Sequence, residues 1–352
     1  MSLTEMNALV LHGIGDLRYE KMPVPEIGNT DVLVKVKAAG ICSSDIPRAM
    51  VTGAYHHPLI LGHEFAGEVV ETGDEVKNVK VGDRVAVFPL IPCRKCCYCQ
   101  IGEYAQCDNY DYLGSRCDGG FAEYVRVPSW NLVQLPKEVE YEEAALTEPI
   151  SVGLHALRRT NVDIGDAVAV MGSGPIGIII AQWAKILGAG KVFIVDVIPE
   201  KLEIASKLGF KNCINAKEVD PVKKIIEETE GLGVDLAVES AGSAVTFEQC
   251  LRVTRKLGNV VFMGNIGTDV TIPKKTASTI LRNQLTMYGI WNSSFAPMPK
   301  NEWVITVRYM EKKKLNIKPL ISHKFKLRDG NKVFDMMYKR REFFNKVIFA
   351  EE

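Results

Sequence analysis

The chain divides by the period of its apolar positions. From Asn7 to about Pro136, short apolar alternations are cut by glycine and proline, as in Ala8-Leu9-Val10-Leu11, Val32-Leu33-Val34-Lys35-Val36, residues 65–70, Arg84-Val85-Ala86-Val87 and residues 121–127. Runs of that length, punctuated by Gly73-Asp74 and Gly82-Asp83, predict a mainly β region. From about Ser151 to Gly289 the pattern changes. Residues 168–171 read as a strand, 175–187 as a helix, 192–196 as a strand and 200–208 as a helix, with further strands at 234–239, 260–263 and 285–288. That alternation predicts a parallel sheet with helices on both faces. After Trp291 come an amphipathic stretch at 302–314, Phe325-Lys326-Leu327, a helix-like stretch at 329–340 and a final strand at 346–350. This last segment is too short to stand alone, so it is expected to return to the first region. The expected fold class is α/β, with residues 1–150 and 292–352 forming a mainly β domain and 151–291 an inserted, doubly wound domain of nucleotide-binding type.

Length agrees with two domains, since 352 residues is about twice the ~150 that one domain commonly takes. The 43 Lys and Arg balance the 43 Asp and Glu, which argues against nucleic acid or an anionic membrane as partner. No run reaches the ~18 apolar residues of a membrane helix, because the best candidate, 176–187, carries Gln182 and Lys185. The start of the chain lacks a basic segment followed by an apolar one, so a soluble, cytoplasmic protein is expected.

Cysteine usage adds the first chemistry. Cys93, Cys96, Cys97 and Cys99 are clustered and Cys107 follows closely, which in such a chain reads as metal ligation rather than a disulfide framework. The spacing C-x2-C-x2-C-x7-C selects Cys93, Cys96, Cys99 and Cys107 and leaves Cys97 over. An iron–sulfur run opens in the same way, but its fourth cysteine falls where this chain has Glu103, and no proline follows Cys107. Zinc is therefore favoured. Four thiolates close its tetrahedral shell, so a lobe around residues 93–107 is expected to be structural.

Gly172-Ser173-Gly174-Pro175-Ile176-Gly177 follows one expected strand and opens the next helix, and Asp196 closes the following strand. Gly172 suits a tight turn, Gly174 a close backbone approach to a pyrophosphate, and Gly177 close packing of helix on sheet. The helix N-terminus offers free N–H groups to phosphates. Asp196 suits the hydroxyls of the adenine ribose and would repel a 2′-phosphate, and Val197-Ile198 bring no arginine, so NAD is favoured over NADP, with a flavin the lesser reading.

A second metal site is suggested by Cys42-Ser43-Ser44-Asp45 in a polar turn, Gly62-His63-Glu64 before a strand, and Glu148-Pro149 where the two expected domains meet. A thiolate, an imidazole and a carboxylate with one position left for water or substrate form a catalytic zinc site. Alone, each pairing reads better as a buried thiol or a surface loop. Beside a nucleotide fingerprint and a cysteine lobe, they point to one site.

In order along the chain, Gly62-His63-Glu64 with Gly67, the cysteine lobe, Asp118-Gly119-Gly120-Phe121-Ala122-Glu123-Tyr124, Glu148-Pro149 and the glycine fingerprint resemble the zinc-dependent medium-chain dehydrogenases over essentially the full length. Cys42-Ser43-Ser44-Asp45-Ile46-Pro47-Arg48, Tyr110-Asp111-Tyr112-Leu113-Gly114-Ser115-Arg116 and Gly289-Ile290-Trp291-Asn292 are similar to the polyol branch. The resemblance implies a GroES-like catalytic domain, a Rossmann domain and two Zn²⁺ per subunit. The catalytic ion would be held by Cys42, His63 and Glu148, with Glu64 as a fourth or exchanging ligand. Cofactor contacts would come from Pro175, Ile176, Asp196, Lys201, Gly264, Asn265, Ile290 and Trp291. Ser44 would bond the substrate alcohol and relay its proton. Pro47 stands where many relatives have a histidine that passes the proton outward, leaving water or a group such as His57. The implied reaction is zinc-assisted oxidation of a secondary alcohol with hydride transfer to NAD. Galactitol 1-phosphate, giving tagatose 6-phosphate, is the leading substrate, and sorbitol, xylitol, a butanediol or threonine the alternatives. A non-catalytic regulator that binds metal and nucleotide is the reading from another class. Arg48 and Arg116 are candidates for binding a substrate phosphate, since a guanidinium matches phosphate bidentately. The apolar stretch 285–290 offers an edge for a homodimer, or within a homotetramer.

Overall fold

The computed structural model describes residues 4–295 and 301–350. They fall into two units, Met1–Pro149 with Ser294–Lys313 and Ile321–Glu352, and Ile150–Ser293 with Lys314–Leu320. Residues 296–300 and 351–352 of the expected returning segment lie outside the described residues.

In the first unit the strand Asp31–Ile41 buries Val32, Val34 and Val36 and leaves Lys35 and Lys37 half-buried, the alternation expected of a strand with one face on a core. It pairs antiparallel with Glu64–Thr72, Tyr124–Pro128 and Lys346–Ala350. Arg84–Val87 and Leu132–Gln134 extend this sheet on one side, and Ile321–Phe325 on the other. A smaller sheet joins Asp16–Pro23, Glu5–Gly13 and Leu59–Ile60. The core gathers Leu9, Phe65, Phe121, Phe334 and Phe349, with the Phe121 ring edge-on to Phe349 at 5.1 Å. Register decides the chemistry. Gly40 pairs with Glu64 and Ile41 with Val347, so Cys42, Glu64 and Lys346, far apart in sequence, come to the ends of three adjacent strands.

The second unit carries a six-stranded parallel sheet, in the order Asn212–Asn215, Lys191–Asp196, Ala167–Met171, Val234–Glu239, Thr254–Phe262, Thr286–Gly289. The order reverses between Ala167–Met171 and Val234–Glu239, which makes it a doubly wound, Rossmann-type sheet. The helix Pro175–Leu187 starts on proline and stops at Gly188, whose φ of 111° is open to glycine. The strand expected at 260–263 is longer, running Thr254–Phe262, and the helix expected at 302–314 ends at Glu311. The chain then leaves the first unit. Asn316 N–H donates to Gln182 Oε1 at 2.7 Å and Gln182 Nε2 donates back to Asn316 O at 3.2 Å. Lys314–Leu320 thus groups with the second unit, where the sequence placed all of 292–352 with the first. No helix among the described residues is long and apolar enough to cross a membrane.

Candidate metal centre and nucleotide site

Cys42, His63 and Glu64 bring their ligand atoms within 4.8 Å of one another, with His63 and Glu64 buried and Cys42 half-buried. Strand ends place two of them, and Gly62 places the third. The Gly62 φ is +94°, and the Phe121 ring fills the space where a Cβ would stand, so the chain turns into His63 only through glycine. Asp45, fully buried, organises the turn: its Oδ2 accepts from Cys42 N–H at 3.0 Å, and its Oδ1 lies 3.4 Å from His63 Nδ1 and 3.3 Å from Arg48 Nη1. The His63 contact is long and misaligned for a hydrogen bond. Burial alone would favour the neutral ring, but the charges of Asp45 and Cys42 together outweigh it and hold the His63 pKa well above its usual value. Such a field favours a cation. Ser44 Oγ donates to Cys42 Sγ at 3.2 Å, which keeps its hydroxyl beside the cluster.

Glu148 stands outside the three-residue group. It lies in the first turn of the helix Thr147–Arg158, buried, and accepts a 3.3 Å hydrogen bond from Tyr112. Burial pushes its pKa up to about 7, with Glu64 adding to the rise and His63 and Lys346 opposing it. The resemblance implied Glu148 as the third ligand and Glu64 as a fourth or exchanging one; the geometry gathers Glu64 with Cys42 and His63. Lys346 went unread. It is buried, donates to Ile41 O at 3.0 Å and forms an ion pair with Glu64. Burial would neutralise it, but Glu64 and Cys42 hold its pKa above the usual value. Gly40 makes room for this pair, since a Cβ there would overlap the Glu64 carboxylate. Three acidic groups, Cys42, Glu64 and Glu148, thus gather around Lys346, a set that a bound divalent ion would hold deprotonated. The donor set of sulfur, nitrogen and oxygen suits zinc.

The structure separates the two arginines. Arg48 is tied to the buried Asp45. Arg116 has no carboxylate partner among the described residues: its guanidinium lies 4.0 Å from the Tyr110 ring centre and 4.9 Å from that of Tyr55, and Nη1 donates to Tyr110 O at 3.1 Å. Tyr110 meets Tyr112 edge-on at 6.3 Å, and Tyr112 meets His63 at 5.8 Å, so a line of aromatic rings joins Arg116 to the metal cluster.

In the cysteine lobe, the sulfurs of Cys93, Cys96, Cys99 and Cys107 also lie within 4.8 Å of one another, while Cys97 is exposed. Cys93 N–H donates to Cys107 Sγ at 3.2 Å and Lys95 N–H to Cys93 Sγ at 3.5 Å. Backbone donors pull the Cys93 thiol down to about 6, whereas burial pushes Cys99 up to about 12. Four convergent sulfurs with N–H donors fit a closed zinc shell.

The nucleotide residues collect at the carboxyl ends of the parallel strands. Gly172, with φ +112°, turns the chain out of Ala167–Met171, and Gly177 packs so closely on it that a Cβ would overlap Gly172 O. Beside Gly174, by contrast, nothing lies within 4 Å of a Cβ position, leaving the open approach a pyrophosphate needs. Asp196 Oδ2 accepts from Ser173 N–H at 2.7 Å and Oδ1 from Val197 and Ile198 N–H at 2.7 and 3.0 Å, which fixes the carboxylate at the turn. Ser173, absent from the expected set, ties this turn to the next helix by donating to Lys201 O at 3.1 Å. Gly264 and Asn265 follow Thr254–Phe262 and touch Gly242. Ile290 follows the edge strand and donates to Phe262 O at 3.0 Å, and Trp291 is exposed.

A GroES-like unit with a sulfur–nitrogen–oxygen cluster and a four-thiol lobe, together with a doubly wound dinucleotide unit, defines a metal-dependent oxidoreductase. Residues 28–137 match the alcohol dehydrogenase GroES-like domain and residues 175–310 the zinc-binding dehydrogenase domain. The galactitol 1-phosphate 5-dehydrogenase of Escherichia coli (strain K12) is 36% identical over 320 residues, 91% of this chain and 92% of that one. The sorbitol dehydrogenase of Bacillus subtilis is 34% identical, covering 97% of this chain and 96% of its own. The crystal structure of galactitol-1-phosphate dehydrogenase from Escherichia coli superposes with a TM-score of 0.92 at 34% identity, over 98% of this chain and 100% of that one. The chain belongs to the zinc-dependent medium-chain alcohol dehydrogenases, in their polyol branch.

Proposed function

We propose that the protein oxidises a secondary alcohol of a polyol phosphate, galactitol 1-phosphate to tagatose 6-phosphate being the leading reaction, with one catalytic and one structural zinc and with NAD. The observation that carries this reading is the convergence of Cys42, His63 and Glu64 beside the Ser44 hydroxyl. A zinc ion held there supplies Lewis acidity to the alcohol oxygen, and NAD supplies the hydride acceptor. Cys42, His63 and Glu64 hold the ion, while Glu148, steadied by Tyr112, adds negative charge beside them. Ser44 Oγ takes the alcohol proton and, being half-buried, passes it to solvent without the histidine that Pro47 replaces. The carboxylate of Asp196, fixed at the carboxyl end of Lys191–Asp196, favours a free 2′-hydroxyl and so NAD over NADP. The open edge of Thr286–Gly289, with Met287 exposed, supports association into a homodimer or homotetramer.

Of the two arginines, Arg116 is the better phosphate anchor, because Arg48 is already neutralised by Asp45. Arg116→Ala is expected to lower kcat/KM for galactitol 1-phosphate on the order of 10- to 100-fold and to leave sorbitol turnover within about twofold. Equal losses on both substrates would remove Arg116 from this role. The reading itself is tested by NADH formation against galactitol 1-phosphate, sorbitol, sorbitol 6-phosphate, xylitol, butanediol and threonine, with NADP run in parallel. A preference for galactitol 1-phosphate with NAD is expected. Turnover of unphosphorylated alcohols alone would overturn the substrate, and silence across the panel would favour the regulator.

A further inference from the structure

Glu239 ends the strand Val234–Glu239, across the reversal of strand order from the glycine fingerprint. It is fully buried. Its Oε1 accepts three hydrogen bonds, from the N–H groups of Ala241 at 3.0 Å and Gly242 at 2.9 Å and from the Thr246 hydroxyl at 2.7 Å. Its Oε2 has no hydrogen-bond partner among the described residues and faces Gly264, where a Cβ would overlap it. Three donors on one oxygen are what a carboxylate's charge attracts, and no donor among the described residues meets the other oxygen. The turn at 240–242 does not need that charge, since a glutamine oxygen would accept the same three bonds. Burying an anion without a cation is costly, so the charge calls for a partner outside this network.

Position suggests the partner. Asp196 ends a strand on the half of the sheet that takes the adenosine, and Glu239 ends one on the half that takes the second nucleotide. An oxidised nicotinamide ring is positively charged and a reduced one is neutral. We propose that Glu239 is an electrostatic positioning residue that stabilises the oxidised nicotinamide over the reduced one, lowering the potential of the bound nucleotide. This rests on the nicotinamide reading of the fold.

Dissociation constants for NAD⁺ and NADH, titrated without substrate, test it. Glu239→Gln is expected to weaken NAD⁺ binding roughly tenfold relative to NADH, because the lost carboxylate charge favours only the cationic ring. Glu239→Asp keeps the charge and is expected to hold the wild-type ratio even if both nucleotides bind less tightly. Parallel losses for NAD⁺ and NADH in Glu239→Gln would make the residue merely structural and overturn the proposal. The wild-type protein gives a version of the test that does not depend on a variant folding, with benzamide adenine dinucleotide as an uncharged isostere of NAD⁺. Tighter binding of NAD⁺ is expected, and equal affinities would overturn the proposal. If the wild type binds neither NAD⁺ nor NADH, the nicotinamide reading itself fails.

Discussion

His63→Ala is expected to lower alcohol turnover on the order of 10³-fold or more while leaving nucleotide binding in place. The imidazole is the one nitrogen donor in the Cys42–His63–Glu64 group and is buried. Its removal takes a ligand from the ion and leaves two anions facing one another across a vacated space. Asp45 offers a graded control. It contacts His63 only from behind, at 3.4 Å, and bonds Cys42 N–H, so Asp45→Asn is expected to cost about 10- to 100-fold, the usual range for a residue that orients a ligand. Steady-state kinetics on both variants, with nucleotide affinity measured separately, checks the order. Equal, small effects would mean that the cluster does not hold the reacting centre.

Lys346→Met is expected to destabilise the metal-free protein by about 3–5 kcal/mol. Its ammonium group is buried between Glu64 and the Ile41 carbonyl, and removing it strands the Glu64 carboxylate among Cys42 and Glu148. A Met side chain fills similar volume, so the loss would come from charge rather than from a cavity. Adding Glu64→Gln should recover much of the loss, because the stranded anion is then gone. Urea unfolding of the single and double variants reads both effects. Strictly additive losses would show that the two residues are not coupled.

Lys346 also shows where sequence reading stops. It lies 305 positions beyond Ile41, and only the register of Lys346–Ala350 on Asp31–Ile41 brings it to Glu64. No spacing rule reaches that far. The cysteine lobe and the fingerprint were legible because their ligand atoms are set by local turns. Cys42, His63 and Glu64 were legible as parts, and their grouping came from the company of the other motifs and from the resemblance, since their meeting depends on the pairing of Gly40 with Glu64. Glu148 was placed as a ligand by resemblance, while the hydrogen bond from Tyr112 and the distance that sets it apart are tertiary facts. Asp45 was read as part of a polar turn, and its burial beneath His63 carried no local signature. Some omissions were avoidable. Asp220-Pro221 is a helix start, with Asp220 accepting from Val222 and Lys223 N–H, and it opens the unread helix Pro221–Glu228. The helix Lys274–Arg282 was missed although Thr276, Ala277 and Ile280 fall at helical spacing, for it is short and Thr276 is its one buried residue.

The two zinc ions proposed for each chain have separate duties, and zinc content per chain tells them apart. Metal analysis of the wild type, His63→Ala, Cys96→Ser and Cys97→Ser should give two, one, one and two equivalents. Alcohol oxidation should vanish only with the equivalent that depends on His63, and thermal stability should fall with the one that depends on Cys96. Zinc content independent of His63, or full activity in a protein that has lost that equivalent, would contradict the account.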